Sequence, residues 1–500
     1  MDDDRNETIE NTEDTNNSDD KKKPGILKGF LEFFYGNFVV LLLGFVSLPL
    51  ITRVLSTDEY GRTSLYSSVV SIIYIFAILG LDQGYIRYYH KENVDRKKLF
   101  GQCVKWPFVL ILIISTVYCI FSGTFNSLLF GKGGIDVTAL VVVYTITSVF
   151  ERFLFLDIRM DQKGKLYSNL NILSKVLYIV VIVLFVYILG DDFRVGMYAL
   201  TIPLVIVTLI VGIRFAVVNK NHIIQKHELD TRELLMYSIP FIPMLLMEWL
   251  LSSMDKWSVK IFRDYAETGV YSAAMQIMTI LLTFKITFIA FWSPIAMEKY
   301  EKEPEEVVKP FFADMFQKVQ FLGMLAAFGL TMARGLIVLI LGENYREAIR
   351  IIPFLSLMPV MSILFEMTGQ GLKFKGKTVC FNYASLAAII VNLVGNTILV
   401  PIYGGIGAAA ATAATYIVYF AIGTALANKY YPINYGYGYL AVSLAGYAAY
   451  AYYATICSNE LMNVAVGFVA IVLLCVLNRK VVGSLWKYGY GLIKDWRFGK

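Results

Sequence analysis

The 500-residue chain is 57% hydrophobic and only 17% charged, where a soluble domain holds about a quarter of charged residues, so water is not its main solvent. Its 45 Lys and Arg outnumber 39 Asp and Glu, giving a formal charge of +6. The five cysteines show no CxxC spacing and the three histidines fall in hydrophilic connections, which speaks against a metal or disulfide framework and leaves a membrane enzyme without a histidine base inside a span.

Residues 1–25 form an acidic tail, with nine Asp and Glu against the single Arg5 over residues 2–20. It is too polar to fold alone, and it lacks the Lys/Arg segment and short apolar core of a cleavable signal peptide. Apolar runs then predict helices over 31–52, 64–86, 104–122, 137–156, 169–189, 197–216 and 235–254. Seven more follow, over 270–294, 316–340, 349–371, 379–400, 406–427, 438–456 and 463–478. Each is long enough to cross roughly 30 Å of hydrocarbon, so the expected fold is an all-α integral membrane protein of about fourteen transmembrane helices. Without the acidic stretch, residues 21–500 hold 44 basic and 30 acidic residues, a charge of +14. With the N-terminus inside, 32 of the 45 basic residues fall inside, 10 outside and three within spans. That bias sets both termini in the cytoplasm of a cell-membrane protein.

The chain also resembles itself. Asp58-Glu59-Tyr60-Gly61 after the first span matches Ala266-Glu267-Thr268-Gly269 after the seventh, an offset of 208. Lys163-Gly164-Lys165 matches Lys375-Gly376-Lys377 at 212, and Gly196 matches Gly407 at 211. Near-equal offsets in order predict two six-helix repeats, 26–217 and 234–430, followed by helices 13 and 14 over 438–478 and a basic tail over 479–500. An even number of spans relates the halves by an axis along the membrane normal, a transporter arrangement.

Several runs carry a family resemblance: Pro49-Leu50-Ile51-Thr52-Arg53-Val54-Leu55, Glu59-Tyr60-Gly61, Leu79-Gly80-Leu81-Asp82-Gln83 and Arg87-Tyr88-Tyr89. Others are Ser238-Ile239-Pro240, Met254-Asp255-Lys256-Trp257, Gly269-Val270-Tyr271 and Leu341-Gly342-Glu343-Asn344-Tyr345. Over roughly residues 26 to 480 the chain resembles the polysaccharide transport flippases of O-antigen and capsule synthesis, in the multidrug/oligosaccharidyl-lipid/polysaccharide superfamily. Where that family has an Asp-Arg pair in the seventh span, this chain has Asp255-Lys256, which keeps a cation but loses bidentate pairing. The resemblance implies a V-shaped bundle that moves polyprenyl-pyrophosphate-linked oligosaccharide to the outer leaflet by alternating access.

Charges within or beside spans are the candidate site residues. Lys285 lies mid-span, where a cation faces a wet cavity or a partner. Glu248, in the middle of the seventh span, reads either as a Na+ or H+ coupling carboxylate or as the partner of Lys285. Lys175 and Arg152 are cavity cations or snorkel to headgroups, and Arg53 joins the cavity cations at the outer end of span one. Asp82 and Arg87 read as a local helix-end pair or a gate. Asp255, Lys256, Lys260 and Arg263 form either an interfacial cluster or a basic outer gate. The small-residue stripe from Gly405 to Ala414 reads as a packing surface.

A flippase for lipid-linked oligosaccharide is the expected function, with no catalytic residues, no metal and no cofactor beyond a coupling Na+ or H+. Lipid II flippase-like transport and multidrug-type cation antiport are the alternatives. Expected partners are the lipid-linked cargo, membrane lipids, and the polymerase and glycosyltransferases of the pathway, with no nucleic acid.

Overall fold

The computed structural model describes residues 26–91, 94–218 and 230–487. The acidic stretch, His222, His227 and the basic tail beyond Lys487 lie outside them. In the first part of the chain the helices are α1 (Ile26–Val54), α2 (Thr57–Ile78), α3 (Leu81–Tyr88), α4 (Arg96–Ile120), α5 (Ser122–Phe130), α6 (Ile135–Met160), α7 (Gly164–Leu189) and α8 (Arg194–Val218). In the second they are α9 (Thr231–Ser238), α10 (Ile242–Phe262), α11 (Tyr265–Lys302), α12 (Glu305–Met332), α13 (Arg334–Ile340), α14 (Ala348–Leu355), α15 (Leu357–Thr368), α16 (Gln370–Phe374), α17 (Val379–Tyr430), α18 (Gly438–Ile456) and α19 (Glu460–Leu477). Among the described residues ten helices are long and apolar enough to cross a membrane, or eleven when α12 and α13, bent by 67°, count as one span. The chain is an all-helical, multi-pass membrane protein.

Local chemistry sets the helix ends. Asp95 accepts from the backbone N–H groups of Lys97 and Lys98 at 2.8 and 3.0 Å, and Asp264 accepts from Glu267 N at 2.7 Å, so each caps the first turn of its helix. The second predicted span, drawn as one helix over 64–86, is broken instead: Leu79 and Gly80 both take left-handed φ values of 53° and 67°, a conformation that costs a branched residue such as leucine. The 52-residue α17 is likewise two helices, turned at Gly404 with φ 58° and ψ −135°. Its two arms fold back on each other, because a Cβ at Gly395 would lie 2.9 Å from the Ala411 Cβ. The predicted small-residue stripe is thus the inner face of a hairpin.

The sequence offset reappears in space. Phe193 N donates to the Glu59 carboxylate at 2.9 Å, and Gly405 N donates to Glu267 at 2.8 Å. Equivalent carboxylates therefore hold the start of α8 and of the second arm of α17. The N-terminal ends of α2 and α11 cross one another, with the Ser64 and Ser272 hydroxyls 2.7 Å apart, residues separated by 208. Gly61 and Gly269 meet at the same crossing. A Cβ on Gly61 would come within 2.0 Å of the Tyr265 carbonyl, and one on Gly269 within 1.9 Å of the Thr57 carbonyl, so only glycine permits this approach. Nearby, Gly342 N donates to Thr52 Oγ1 at 3.2 Å and Tyr345 Oη to the Leu55 carbonyl at 3.0 Å, which joins the two halves on the side that the basic residues assign as outer.

Candidate functional site

Two neighbouring chambers lie beside the crossing and share wall residues. The larger, about 720 Å³, is walled by α2, α10, α11, α15 and α17, with Ser67, Ser68, Glu248, Lys256, Gln276, Lys285 and Tyr416 among its residues. The smaller, about 260 Å³, is walled by α1, α2, α7 and α11 and is lined by hydroxyls and amides, among them Ser47, Tyr60, Thr63, Ser64, Tyr178 and Gln276, together with Lys175. Ser67, Lys256, Ser272 and Gln276 belong to both walls. Lys256 therefore stands at the junction, with Lys175 on one side and Lys285 on the other. A cavity of this volume in an apolar bundle is of the size that accepts a sizeable polar headgroup.

The expected interfacial cluster at the end of span seven does not exist as one unit. Asp255 and Lys256 are one residue apart and so point about 100° apart around α10. Lys256 enters the cavity, while Asp255 is 1% exposed. Four neutral donors surround its carboxylate: Tyr271 Oη at 2.9 Å, Thr412 Oγ1 at 2.7 Å, Asn392 Nδ2 at 2.9 Å and Asn396 Nδ2 at 2.7 Å. The group ties α10 to α11 and to both arms of α17. Asp255 makes no ion pair among the described residues, and the buried Asn396 Oδ1 has no partner. Lys260 instead donates to the Leu128 carbonyl at 2.8 Å, and Arg263 to Val400 and Ile402 carbonyls at 3.3 and 2.9 Å.

Other expected pairings also change. Lys285 lines the larger chamber, but its ion-pair partner is Glu366 at 3.3 Å rather than Glu248; Glu248 faces the chamber without an ion pair among the described residues. Glu366 was not singled out in the sequence, although a carboxylate inside an apolar span was the available signal. Asp82 pairs with Arg152 at 2.7 Å and not with Arg87, which is exposed. This salt bridge starts a ladder between α3 and α6, continued by Tyr85 Oη donating to Asp157 and Tyr89 Oη to Asp161, both at 2.8 Å. Arg152 thus serves as a partner of Asp82 outside both chambers. Lys175 is among the residues lining the smaller chamber, with its Nζ 4.3 Å from the centre of the Tyr178 ring. Arg53 is exposed at the end of α1 and lines neither chamber.

The structure is thus a membrane-embedded helical bundle around chambers lined by hydroxyls, three lysines and Glu248. The chain belongs to the polysaccharide biosynthesis protein family, which it matches over residues 26–298. It is 20% identical over 411 residues to the probable low-salt glycan biosynthesis flippase Agl15 of Haloferax volcanii, covering 81% of this chain and 83% of the relative. Its fold is similar to that of the lipid II flippase MurJ in an inward closed conformation, with a TM-score of 0.65 and 13% identity over 90% of this chain and 100% of the other. An inward-facing multidrug resistance MATE family transporter shares the fold at a TM-score of 0.56 and 14% identity, over 80% and 97% of the two chains.

Proposed function

We propose that this protein is a flippase for oligosaccharide linked through pyrophosphate to a polyprenyl lipid, carried across the cytoplasmic membrane by alternating access. The observation that carries this reading is the set of three lysines, Lys175, Lys256 and Lys285, in the walls of two neighbouring chambers that share Lys256. A pyrophosphate and its sugars cannot enter hydrocarbon unaided, because each buried charge or unpaired hydroxyl costs several kcal/mol. Fixed ammonium groups and the serine, threonine, glutamine and tyrosine groups of the smaller chamber replace the lost hydration, while the lipid tail stays in the bilayer. The same lysines oppose a cationic drug as cargo, which counts against multidrug-type antiport despite the shared fold. A lipid II-type cargo carries the same pyrophosphate and is the second reading, favoured by the fold likeness over the whole chain. Glycosyltransferases that assemble the cargo on the inner face and a polymerase that consumes it outside are the implied partners.

Asp255 is the proposed coupling site. One carboxylate, two amide groups and the Thr412 hydroxyl form a donor set suited to a hard monovalent cation such as Na+. Rotating the Asn392 and Asn396 amides presents oxygen instead of NH2 to such an ion. The bound cation would supply the charge that Asp255 lacks, and the four side chains would fix where α10 sits against α17.

The test is reconstitution in liposomes with a fluorescent pyrophosphate-linked oligosaccharide, with Na+ replaced by choline in a parallel series. Cargo should reach the far leaflet, faster in Na+, and Lys256→Ala should lose transport at normal abundance. Failure of the intact protein to move this cargo, with efficient export of a cationic dye, overturns the reading.

A further inference from the structure

Resting on the reading that Lys285 contacts the cargo's phosphate, we infer that Glu366 is a positioning residue that competes with the cargo for Lys285. Glu366 on α15 bridges two lysines with its two oxygens: Oε1 lies 3.3 Å from Lys285 Nζ in the cavity wall, and Oε2 lies 3.5 Å from Lys373 Nζ on α16. Both contacts are long compared with the pairs at the C-terminal end of α11, where Lys299–Glu303 and Lys302–Glu298 close to 2.7 Å. A loosely held counter-ion exchanges more readily than one in a tight hydrogen-bonded pair.

The bridged arrangement also removes the usual penalty for breaking a partly buried pair. When one partner leaves, the other charge is normally left uncompensated. Here an incoming phosphate takes Lys285, and Glu366 keeps Lys373. On release, Glu366 recovers Lys285 and the cavity returns to a neutralised state at that point. Neither Lys256 nor Lys175 makes an ion pair among the described residues, so Glu366 gives this one lysine an adjustable affinity that the other two lack. Glu366 never touches cargo in this scheme; it acts through Lys285.

Because the two neighbours pull on one carboxylate, they make opposite predictions. Inorganic pyrophosphate is titrated by calorimetry onto the full-length protein in lipid nanodiscs, for the native chain, Lys285→Ala, Glu366→Gln and Lys373→Met, with thermal unfolding of each. Lys285→Ala should lose binding. Glu366→Gln should bind roughly tenfold more tightly, because the competing charge is gone. Lys373→Met should bind roughly fivefold more weakly, because Glu366 then rests on Lys285 alone. If Lys285→Ala binds like the native chain, the cargo site proposed above fails and this inference fails with it. Loss of binding in Lys285→Ala, without opposite shifts in the other two, overturns the role of Glu366 alone. Weaker binding with a lowered melting temperature in both Glu366→Gln and Lys373→Met means that the bridge only holds α11, α15 and α16 together, and also overturns it.

Discussion

The two halves of the molecule share a scaffold and differ in chemistry. Glu59 and Glu267 accept from equivalent backbone groups, and Gly61 and Gly269 meet at one crossing. Yet 208 positions before Asp255 stands Ser47, before Lys256 stands Leu48, and before Lys285 stands Ala77. Tyr66 and Thr201 in the first half join through a neutral 2.9 Å hydroxyl contact; Tyr271 and Thr412 in the second make a similar contact at 3.2 Å and both also hold the Asp255 carboxylate. Helix ends and crossings tolerate little change in a repeat, because a misfit there displaces a whole helix; a side chain facing a wet cavity is free to acquire charge. The repeated positions therefore describe how the protein is held together, and the unmatched ones include the charged groups assigned above to the proposed transport function.

Erasing that difference should have the largest effect. Asp255→Ser writes the first half's residue into the second, and it should lower flipping by about 100-fold and abolish any Na+ dependence. Cargo flux in liposomes with and without Na+ measures both. Full activity in this variant would show that the buried carboxylate is only a brace.

Breaking what the halves share should act on conformation instead. Gly61→Ala combined with Gly269→Ala puts methyl groups against two carbonyl oxygens, so the outer crossing must separate. A Ser68→Cys reporter in the larger chamber should then react roughly tenfold faster with an impermeant maleimide added from outside. Unchanged labelling would mean that the crossing is not the outer seal.

A feature present in one half only gives a smaller change. Arg152→Gln leaves Asp82 buried without its cation, while the exposed part of the arginine moderates the loss, so unfolding should become easier by about 2 kcal/mol. Thermal denaturation in detergent measures this, and Arg87→Gln is the control expected to change nothing.

The topology carries no expected change in activity. Cysteines at Ser127 and Asn459 should be labelled from outside, and those at Gly164 and Lys377 only from inside. Labelling of the Gly164 variant from outside would invert the side on which the crossing lies. Deleting residues 2–20 should leave transport and abundance as they are.

Helical membrane character and the 208-residue offset were legible in the sequence because both are patterns along the chain. Partners were not, because they depend on helix rotation and on which span lies alongside. Asp82 and Arg87 are five residues apart on α3, about 140° around the helix, and so do not face each other; the partner of Asp82 stands 70 residues away on α6. Glu248 and Glu366 are both carboxylates in apolar spans, and composition alone gives no reason to prefer either for Lys285. The burial of Asp255 depended on the sharp turn at Gly404, which brings Asn392, Asn396 and Thr412 from two arms of one hairpin to a single point. The break at Leu79 was hidden for a related reason, since leucine ordinarily extends a helix.

The crossing of Gly61 with Gly269 and Ser64 with Ser272 has the form of an isologous contact, in which a surface meets a copy of itself. In a gene encoding a single half, such a contact is made between two identical chains, and any substitution in it strikes both sides at once. Joining the copies into one chain lifts that restriction. A serine at one position and an aspartate at its counterpart are then compatible, and the two sides can differ in charge without disturbing the contact that pairs them.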